Sequence, residues 1–187
     1  ARLRLQTREE IRRIQRETQI TTVFVTHDQE EAMSISDQIV VMKEGVIQQV
    51  GKPQQVYDDP SNLFVAKFLG TPPINLFRGR VQGGHLFIGE DDVLSVPGIS
   101  DQDVTVGIRP EGFLPEADGP FACKLNRVEI MGRDVSIVCE NGACEAGTLR
   151  AIIQSDGTEQ SHPDIVRFRL KPGKVLLFGA DGQRLRG

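Results

Sequence analysis

The sequence lacks several features that would mark a simple functional class. It has no basic excess, because 22 Lys and Arg stand against 26 Asp and Glu for a formal net charge of -4, which argues against a nucleic-acid scaffold. It also lacks any stretch near the ~18 uninterrupted apolar residues of a membrane-spanning helix. It begins with Ala1 and has no basic-then-apolar leader. We therefore predict no secretion signal and expect the chain to begin inside a longer protein.

Cysteine is scarce, and its spacing suggests neither a redox pair nor a metal site. Cys123, Cys139 and Cys144 are an odd number of cysteines and form no Cys-x-x-Cys motif. We interpret them as reduced core or surface thiols of a cytosolic protein. The alternative is a metal site built from Cys139, Cys144 and His162. Because it lacks the short paired spacings of zinc sites, we predict no metal site.

The first 18 residues have the periodicity of a surface helix. Apolar or small side chains recur at three- and four-residue spacing; they are Leu3, Thr7, Ile11, Ile14 and Thr18. The arginines of this segment, Arg8, Arg12, Arg13 and Arg16, occupy other faces. Glu9 precedes Arg13 by one helical turn, which is a favourable pairing. We therefore predict that the arginines form a solvated face rather than a phosphate-binding patch.

Residues 20–26 form a continuous β-branched and aromatic run, which predicts a strand buried on both faces of a parallel sheet. Asp28 and Glu31 then have the spacing of a capping box and predict a helix start. His27 is therefore expected where a strand ends and a helix begins, an edge at which α/β sheets bind anions. An imidazole there can donate to a phosphate oxygen or an attacking water. The residue type alone still favours a structural histidine.

The segment up to residue 73 predicts a hairpin and two short helices. Strands 38–42 and 46–50 flank a Lys-Glu-Gly turn. Residues 53–57 and 61–69 have helix start and stop signals. Thr71-Pro72-Pro73 then ends the helical spacing, so we place a domain boundary between residues 70 and 71.

Residues 71–187 contain nine short alternating runs separated by Gly, Pro, Asn and Asp, which predict a small β-barrel or sandwich. The runs are residues 76–82, 85–88, 93–96, 104–108, 122–130, 135–140, 149–153, 165–170 and 175–178. Six phenylalanines in this part of the chain resemble barrel core more than base-stacking platforms, so we predict no nucleic-acid partner. They are Phe77, Phe87, Phe113, Phe121, Phe168 and Phe178.

The order of motifs in the first 70 residues carries a family resemblance. The motifs are Val25-Thr26-His27-Asp28-Gln29-Glu30-Glu31-Ala32-Met33, then Ser36-Asp37 with the strand after it, Gly45 to Pro53, and Phe64-Val65-Ala66 through Gly70. Together they closely resemble the end of the nucleotide-binding subunit of ABC importers. The resemblance implies that residues 1–70 are the C-terminal remnant of an α/β ATPase domain. It also implies that His27 is the switch-loop histidine, a catalytic residue that contacts the ATP γ-phosphate and the attacking water.

The other nucleotide-binding motifs of that family do not occur in this sequence. It contains no Gly-x-x-x-x-Gly-Lys-Ser/Thr loop, no Leu-Ser-Gly-Gly-Gln signature and no Walker B carboxylates. The resemblance implies an ABC-type transport ATPase that uses ATP and Mg²⁺ as the intact subunit. Because His27 alone cannot supply phosphate binding, we predict that this chain by itself is inactive and holds no cofactor.

The second part carries a separate resemblance. Its motifs are Gly70-Thr71-Pro72-Pro73-Ile74-Asn75-Leu76-Phe77, Gly107-Ile108-Arg109-Pro110-Glu111, and Leu177 to Gly182. They resemble the OB-like regulatory (TOBE) domain of maltose, multiple-sugar and glycerol-phosphate importers, and the resemblance implies that residues 71–187 form such a domain. The Gly-rich turn at residues 82–85 and the polar insertion Ser155 to Pro163 depart from the pattern. For Arg109 and Glu111 we favour a structural or interdomain role over a ligand site.

The resemblance also implies partners and a location. It implies a homodimer, membrane-spanning permease subunits and a regulatory protein on the TOBE domain, in a cytoplasmic protein held peripherally at the inner face of the cell membrane. The rival hypothesis is a freestanding OB-type module that senses a small oxyanion or a regulatory protein without ATPase activity.

Overall fold

The computed structural model describes residues 2–154 and 164–187, so the insertion Ser155 to Pro163 lies outside the described residues. The chain divides into two compact units between Ser61 and Asn62. The helices are α1 Arg2–Thr18, α2 Gln29–Ile35, α3 Pro53–Asp58 and α4 Leu63–Phe68. In the described residues, no helix is both long enough and apolar enough to cross a bilayer.

The first unit contains α1, α2, the hairpin β1 Ile39–Lys43 with β2 Val46–Gly51, and α3. The hairpin prediction is confirmed, and its turn residues Glu44 and Gly45 both have positive φ, 50° and 79°. Positive φ at both central residues is the requirement of a tight I′ hairpin turn. Ile39 and Val41 are buried on one face. Apolar side chains on the hairpin also remain exposed; they are Val40, Met42, Val46, Ile47 and Val50.

The prediction of a buried strand over residues 20–26 is wrong for this structure. These residues have no regular secondary structure, and Val23 and Val25 are 87% and 90% exposed. A parallel strand is stabilised by hydrogen-bonded neighbours and by layers on both faces. No strand of the described residues pairs with this run, so its hydrophobic composition is not enough to form one.

The second unit is built from two antiparallel sheets. One has the order β13-β12-β6-β3-β4-β5 and the other β10-β9-β8-β11-β7. The strands are β3 Asn75–Gln82, β4 His85–Ile88, β5 Asp91–Ser95, β6 Gln102–Ile108, β7 Phe113–Pro115, β8 Phe121–Met131, β9 Asp134–Glu140, β10 Thr148–Gln154, β11 Ile165–Leu170, β12 Val175–Phe178 and β13 Arg184–Leu185. The predicted OB-like, all-β class is confirmed. All nine predicted strands are present, and the short β7 and β13 are additional.

The core of the second unit confirms the interpretation of the phenylalanines. Five of them are at most 1% exposed: Phe77, Phe113, Phe121, Phe168 and Phe178. Phe77 and Phe113 contact Phe121, and Phe113 also contacts Phe168 edge to face, a favoured aromatic geometry. Phe87 is half-buried and lies beneath the guanidinium of Arg80.

Buried Asn75 joins the two sheets of the second unit. Its Nδ2 donates to the carbonyl oxygens of Ile108, at 3.2 Å, and Arg150, at 2.9 Å. Its Oδ1 accepts the Arg150 N–H at 2.7 Å. Ile108 belongs to the six-stranded sheet and Arg150 to the five-stranded sheet. This amide therefore satisfies backbone groups of both layers, as a buried polar side chain must.

Candidate functional site

His27 lies directly before the N-cap residue of α2, with its side chain exposed. Asp28 is the N-cap residue, and its Oδ1 accepts the Glu31 N–H at 3.1 Å. The predicted helix start is confirmed, and this hydrogen bond satisfies one of the N–H groups that a helix end leaves unpaired. His27 is therefore placed by the cap of α2, and not by the end of a strand as expected.

The residues on either side of His27 are hydrogen-bonded to each other and to α2. The Thr26 hydroxyl donates to Glu31 Oε2 at 2.8 Å. The same hydroxyl oxygen accepts the Asp28 N–H at 3.0 Å. The backbone is thus tied immediately before and immediately after the histidine, while the imidazole itself remains accessible.

Arg8 joins α1 to this cap. Its Nη2 lies 3.3 Å from Asp28 Oδ2 and 3.4 Å from Glu31 Oε1, and its side chain is only 15% exposed. One turn later, Arg12 donates to the Ile35 carbonyl oxygen at 2.5 Å and to Asp37 at 2.7 Å. The prediction of a solvated arginine face is wrong for these two residues. Helical periodicity identifies the face of a residue but not which later helix will pack there.

Arg13 does lie on the solvated face, although its partners differ from the expected Glu9. It pairs with Glu10 at 2.5 Å and with Glu17 at 2.6 Å, all within α1. These hydrogen bonds raise the pKa of Arg13, and the bond from Arg13 lowers the pKa of Glu10. An exposed ion-pair network of this kind supports the helix without forming a site.

In the second unit, Arg109 is a structural residue. It is 1% exposed, and its Nη1 donates to the carbonyl oxygens of Ala66, at 3.0 Å, and Leu69, at 2.5 Å. These carbonyls lie at the C-terminal end of α4, where helices leave acceptors unpaired and favour positive charge. Glu111 pairs with Lys174 at 3.2 Å. These contacts support the structural role expected for the Arg-Pro-Glu segment.

The three cysteines are buried free thiols, in agreement with their interpretation as core residues. Burial raises the pKa of Cys139 to about 11, and it raises the pKa values of Cys123 and Cys144 as well. The Cys144 thiol donates to the Thr148 carbonyl oxygen at 3.1 Å. Among the described residues no group of three His, Cys, Asp or Glu side chains is placed to hold a metal. His162, the third member of the alternative metal site, lies outside them.

A shallow recess on the second unit tests the oxyanion-sensor hypothesis. Arg78 and Arg80 line it together with Phe87, Glu90 and Asp103. Both guanidinium groups already have partners, since Arg78 donates to the Gly142 carbonyl oxygen at 3.0 Å. Arg80 donates to the Gly89 carbonyl oxygen at 3.3 Å and lies 3.7 Å from Glu90. Glu90 and Asp103 also balance the charge of the two arginines, so the recess has no excess positive charge to offer an anion.

Comparison with known proteins finds a matching family and several similar proteins. Residues 75–113 match the family described as the CysA C-terminal regulatory domain. The chain is 37% identical, over 99% of its length, to the sn-glycerol-3-phosphate import ATP-binding protein UgpC of Jannaschia sp. (strain CCS1), of which the match covers 52%.

Two further relatives are named for the uptake or transport of sugar-containing compounds. The chain is 40% identical, over 99% of its length, to the diacetylchitobiose uptake system ATP-binding protein MsiK of Streptomyces coelicolor, of which the match covers 55%. It is 37% identical, over 98% of its length, to the sulfoquinovosyl glycerol transport ATP-binding protein SmoE of Agrobacterium fabrum, of which 53% is covered. The chain thus spans about half the length of these relatives.

Proposed function

We propose that this chain serves as the carboxyl-terminal part of the ATP-binding subunit of an ABC importer for carbohydrate uptake. It is homologous over nearly its whole length to such subunits. The observation that carries the proposal is this near-complete coverage together with the match of residues 75–113 to a regulatory domain. The freestanding-sensor hypothesis is not favoured, because these relatives are all named as ATP-binding transport proteins.

His27 is the residue of this chain that we propose acts on the nucleotide. A neutral imidazole donates from one ring nitrogen and accepts on the other, so it can contact a phosphate oxygen or orient a water. The exposure of His27 and the fixed backbone on both sides suit that task. Bound ATP with Mg²⁺ supplies the phosphoryl group that is transferred to water. This chain has no phosphate-loop motif, so we propose that it is inactive alone.

The first unit fits a piece of a larger ATPase domain. We propose that the part of this domain in the chain comprises residues 1–70 and that the regulatory TOBE domain comprises residues 71–187. Residues 62–70 belong to the second compact unit but to the ATPase part in this proposal. Residues 20–26 have the composition of a buried strand, yet Val23 and Val25 are almost fully exposed. The hairpin also exposes Val40, Met42 and Ile47. Exposed apolar area of this kind is typical of a surface that another element covers.

The partners follow from this proposal. We propose that two subunits pair, that permease subunits hold the dimer at the cytoplasmic face of the membrane, and that the TOBE domain offers a surface to a regulatory protein. The net charge of -4 does not suit binding to nucleic acid, which relies on basic residues.

The decisive experiment replaces His27 in the full-length subunit assembled with its permease. For His27→Ala we expect turnover to fall about a hundredfold or more while ATP binding is retained, because the contact matters mostly in the transition state. His85→Ala is the matched control, since His85 is an exposed histidine of β4 that pairs with Asp92 at 3.0 Å. Turnover of His27→Ala within a factor of about three of the control would return His27 to a structural role.

A further inference from the structure

We infer that Arg8 is a positioning residue, which holds His27 in place for its proposed contact with ATP by bracing the cap of α2 from α1. The inference rests on the proposed function of His27. Arg8 touches no nucleotide in this scheme and acts only through Asp28 and Glu31, so it is not itself a catalytic residue.

The geometry places Arg8 at the centre of the contacts that tie the His27 segment. Asp28 uses one carboxylate oxygen to cap α2 and the other to pair with Arg8. Glu31 uses one oxygen to accept from Thr26 and the other to pair with Arg8. The residues before and after His27 are therefore both connected to one guanidinium group through these two carboxylates.

Charge explains why this cap needs a cation. Asp28 and Glu31 approach the same Nη2 within 3.3 and 3.4 Å, so without Arg8 two carboxylates would face each other across a short gap. Like charges at that separation repel, and the repulsion is stronger where water is partly excluded. The Arg8 side chain is only 15% exposed. Its pairs are therefore less weakened by solvent than those of exposed Arg13.

The expected consequence is a loss of orientation rather than of nucleotide affinity. Catalytic groups need placement within a fraction of an ångström, and a misplacement of about 1 Å can cost about a hundredfold in rate. Loosening the cap lets the His27 backbone sample other positions without removing the imidazole. We expect Arg8→Gln to lower kcat about tenfold and to leave the KM for ATP within about twofold.

The experiment measures ATP hydrolysis by the full-length subunit with its permease for Arg8→Gln, His27→Ala and the double variant. If Arg8 acts through His27, the double variant is no slower than His27→Ala alone, because the orientation of an absent imidazole has no effect. Arg13→Gln is the matched control, since Arg13 lies on the same helix and pairs only with Glu10 and Glu17 in the described contacts. We expect the control to retain wild-type kcat.

A second readout does not depend on activity. The Glu31 amide donates to Asp28 Oδ1, so its hydrogen exchange reports on the cap directly. We expect faster exchange at Glu31 in Arg8→Gln and no change in Arg13→Gln. If Arg8→Gln does not fold, Asp28→Asn replaces it. Asparagine retains the capping oxygen and removes the charge that pairs with Arg8, and we then expect about a threefold loss of kcat that disappears in the His27→Ala background.

The outcomes separate the inference from the function on which it rests. If His27→Ala abolishes turnover while Arg8→Gln behaves like Arg13→Gln, the positioning role is wrong and the function of His27 stands. If Arg8→Gln lowers kcat further in the His27→Ala background, Arg8 does not act through His27. If His27→Ala itself leaves turnover within about threefold, the proposed function fails first.

Discussion

Replacing Arg109 by methionine should destabilise the second unit. Methionine retains much of the buried volume but cannot donate a hydrogen bond. Arg109 is 1% exposed and donates to the carbonyl oxygens of Ala66 and Leu69. In Arg109→Met these two acceptors lose a charged donor in a region closed to bulk water, so the C-terminal end of α4 loses its hydrogen bonds to the segment that follows β6.

The magnitude follows from two opposing effects. A buried polar group left without its partner costs about 1–3 kcal/mol, so two carbonyls cost about 2–6 kcal/mol. Removing a buried guanidinium also relieves its desolvation, which offsets part of this loss. We expect a net decrease of about 2–4 kcal/mol in the free energy of unfolding. At about 4 °C per kcal/mol for a domain of this size, the melting temperature should fall by about 8–16 °C.

The assay is thermal and urea unfolding of the chain, followed by circular dichroism. Arg169→Met is the matched control, because Arg169 is a half-exposed β11 arginine that pairs with Glu116 at 3.3 Å. An exposed pair of this kind contributes about 0–1 kcal/mol. If Arg109→Met melted within about 3 °C of Arg169→Met, the carbonyl contacts of Arg109 would not be an important source of stability.

The remaining predictions concern the domain boundary and the thiols. A chain of residues 62–187 should have a higher melting temperature than a chain of residues 71–187. The shorter chain lacks the buried Ala66 and Leu69, whose carbonyl oxygens accept from Arg109. Equal melting temperatures would contradict this. Cys123, Cys139 and Cys144 should react with a thiol reagent at pH 8 about a hundredfold slower in the folded chain than in denaturant, since burial raises the pKa of each and leaves little thiolate. Rapid labelling of the folded chain would instead show that the thiols are accessible. The thiols of the unfolded chain ionise at about pH 8.5, below those of the folded chain. The free energy of unfolding should therefore also decrease as pH rises above about 9.

Local sequence determined those elements whose stabilising contacts are near in the chain. The N-cap residue Asp28 and Glu31, whose N–H it accepts, are three residues apart. The hairpin turn at Glu44 and Gly45 involves adjacent residues. The alternation of the barrel strands likewise follows from the two-residue period of side chains across a sheet. For these elements, the residue types and spacing are sufficient because the interacting groups are neighbours in the sequence.

Tertiary structure decided whatever depends on a partner distant in the chain. Residues 20–26 have strand composition, but a strand also needs a neighbour to hydrogen-bond, and none pairs with them in the described residues. Arg8 and Arg13 are the same residue type on one helix. Only the packing of α2 makes Arg8 a partner of Asp28 and leaves Arg13 on the solvated face. The structural role of Arg109 likewise depends on carbonyl oxygens some 40 residues earlier in the chain, because only folding brings this buried cation to its acceptors.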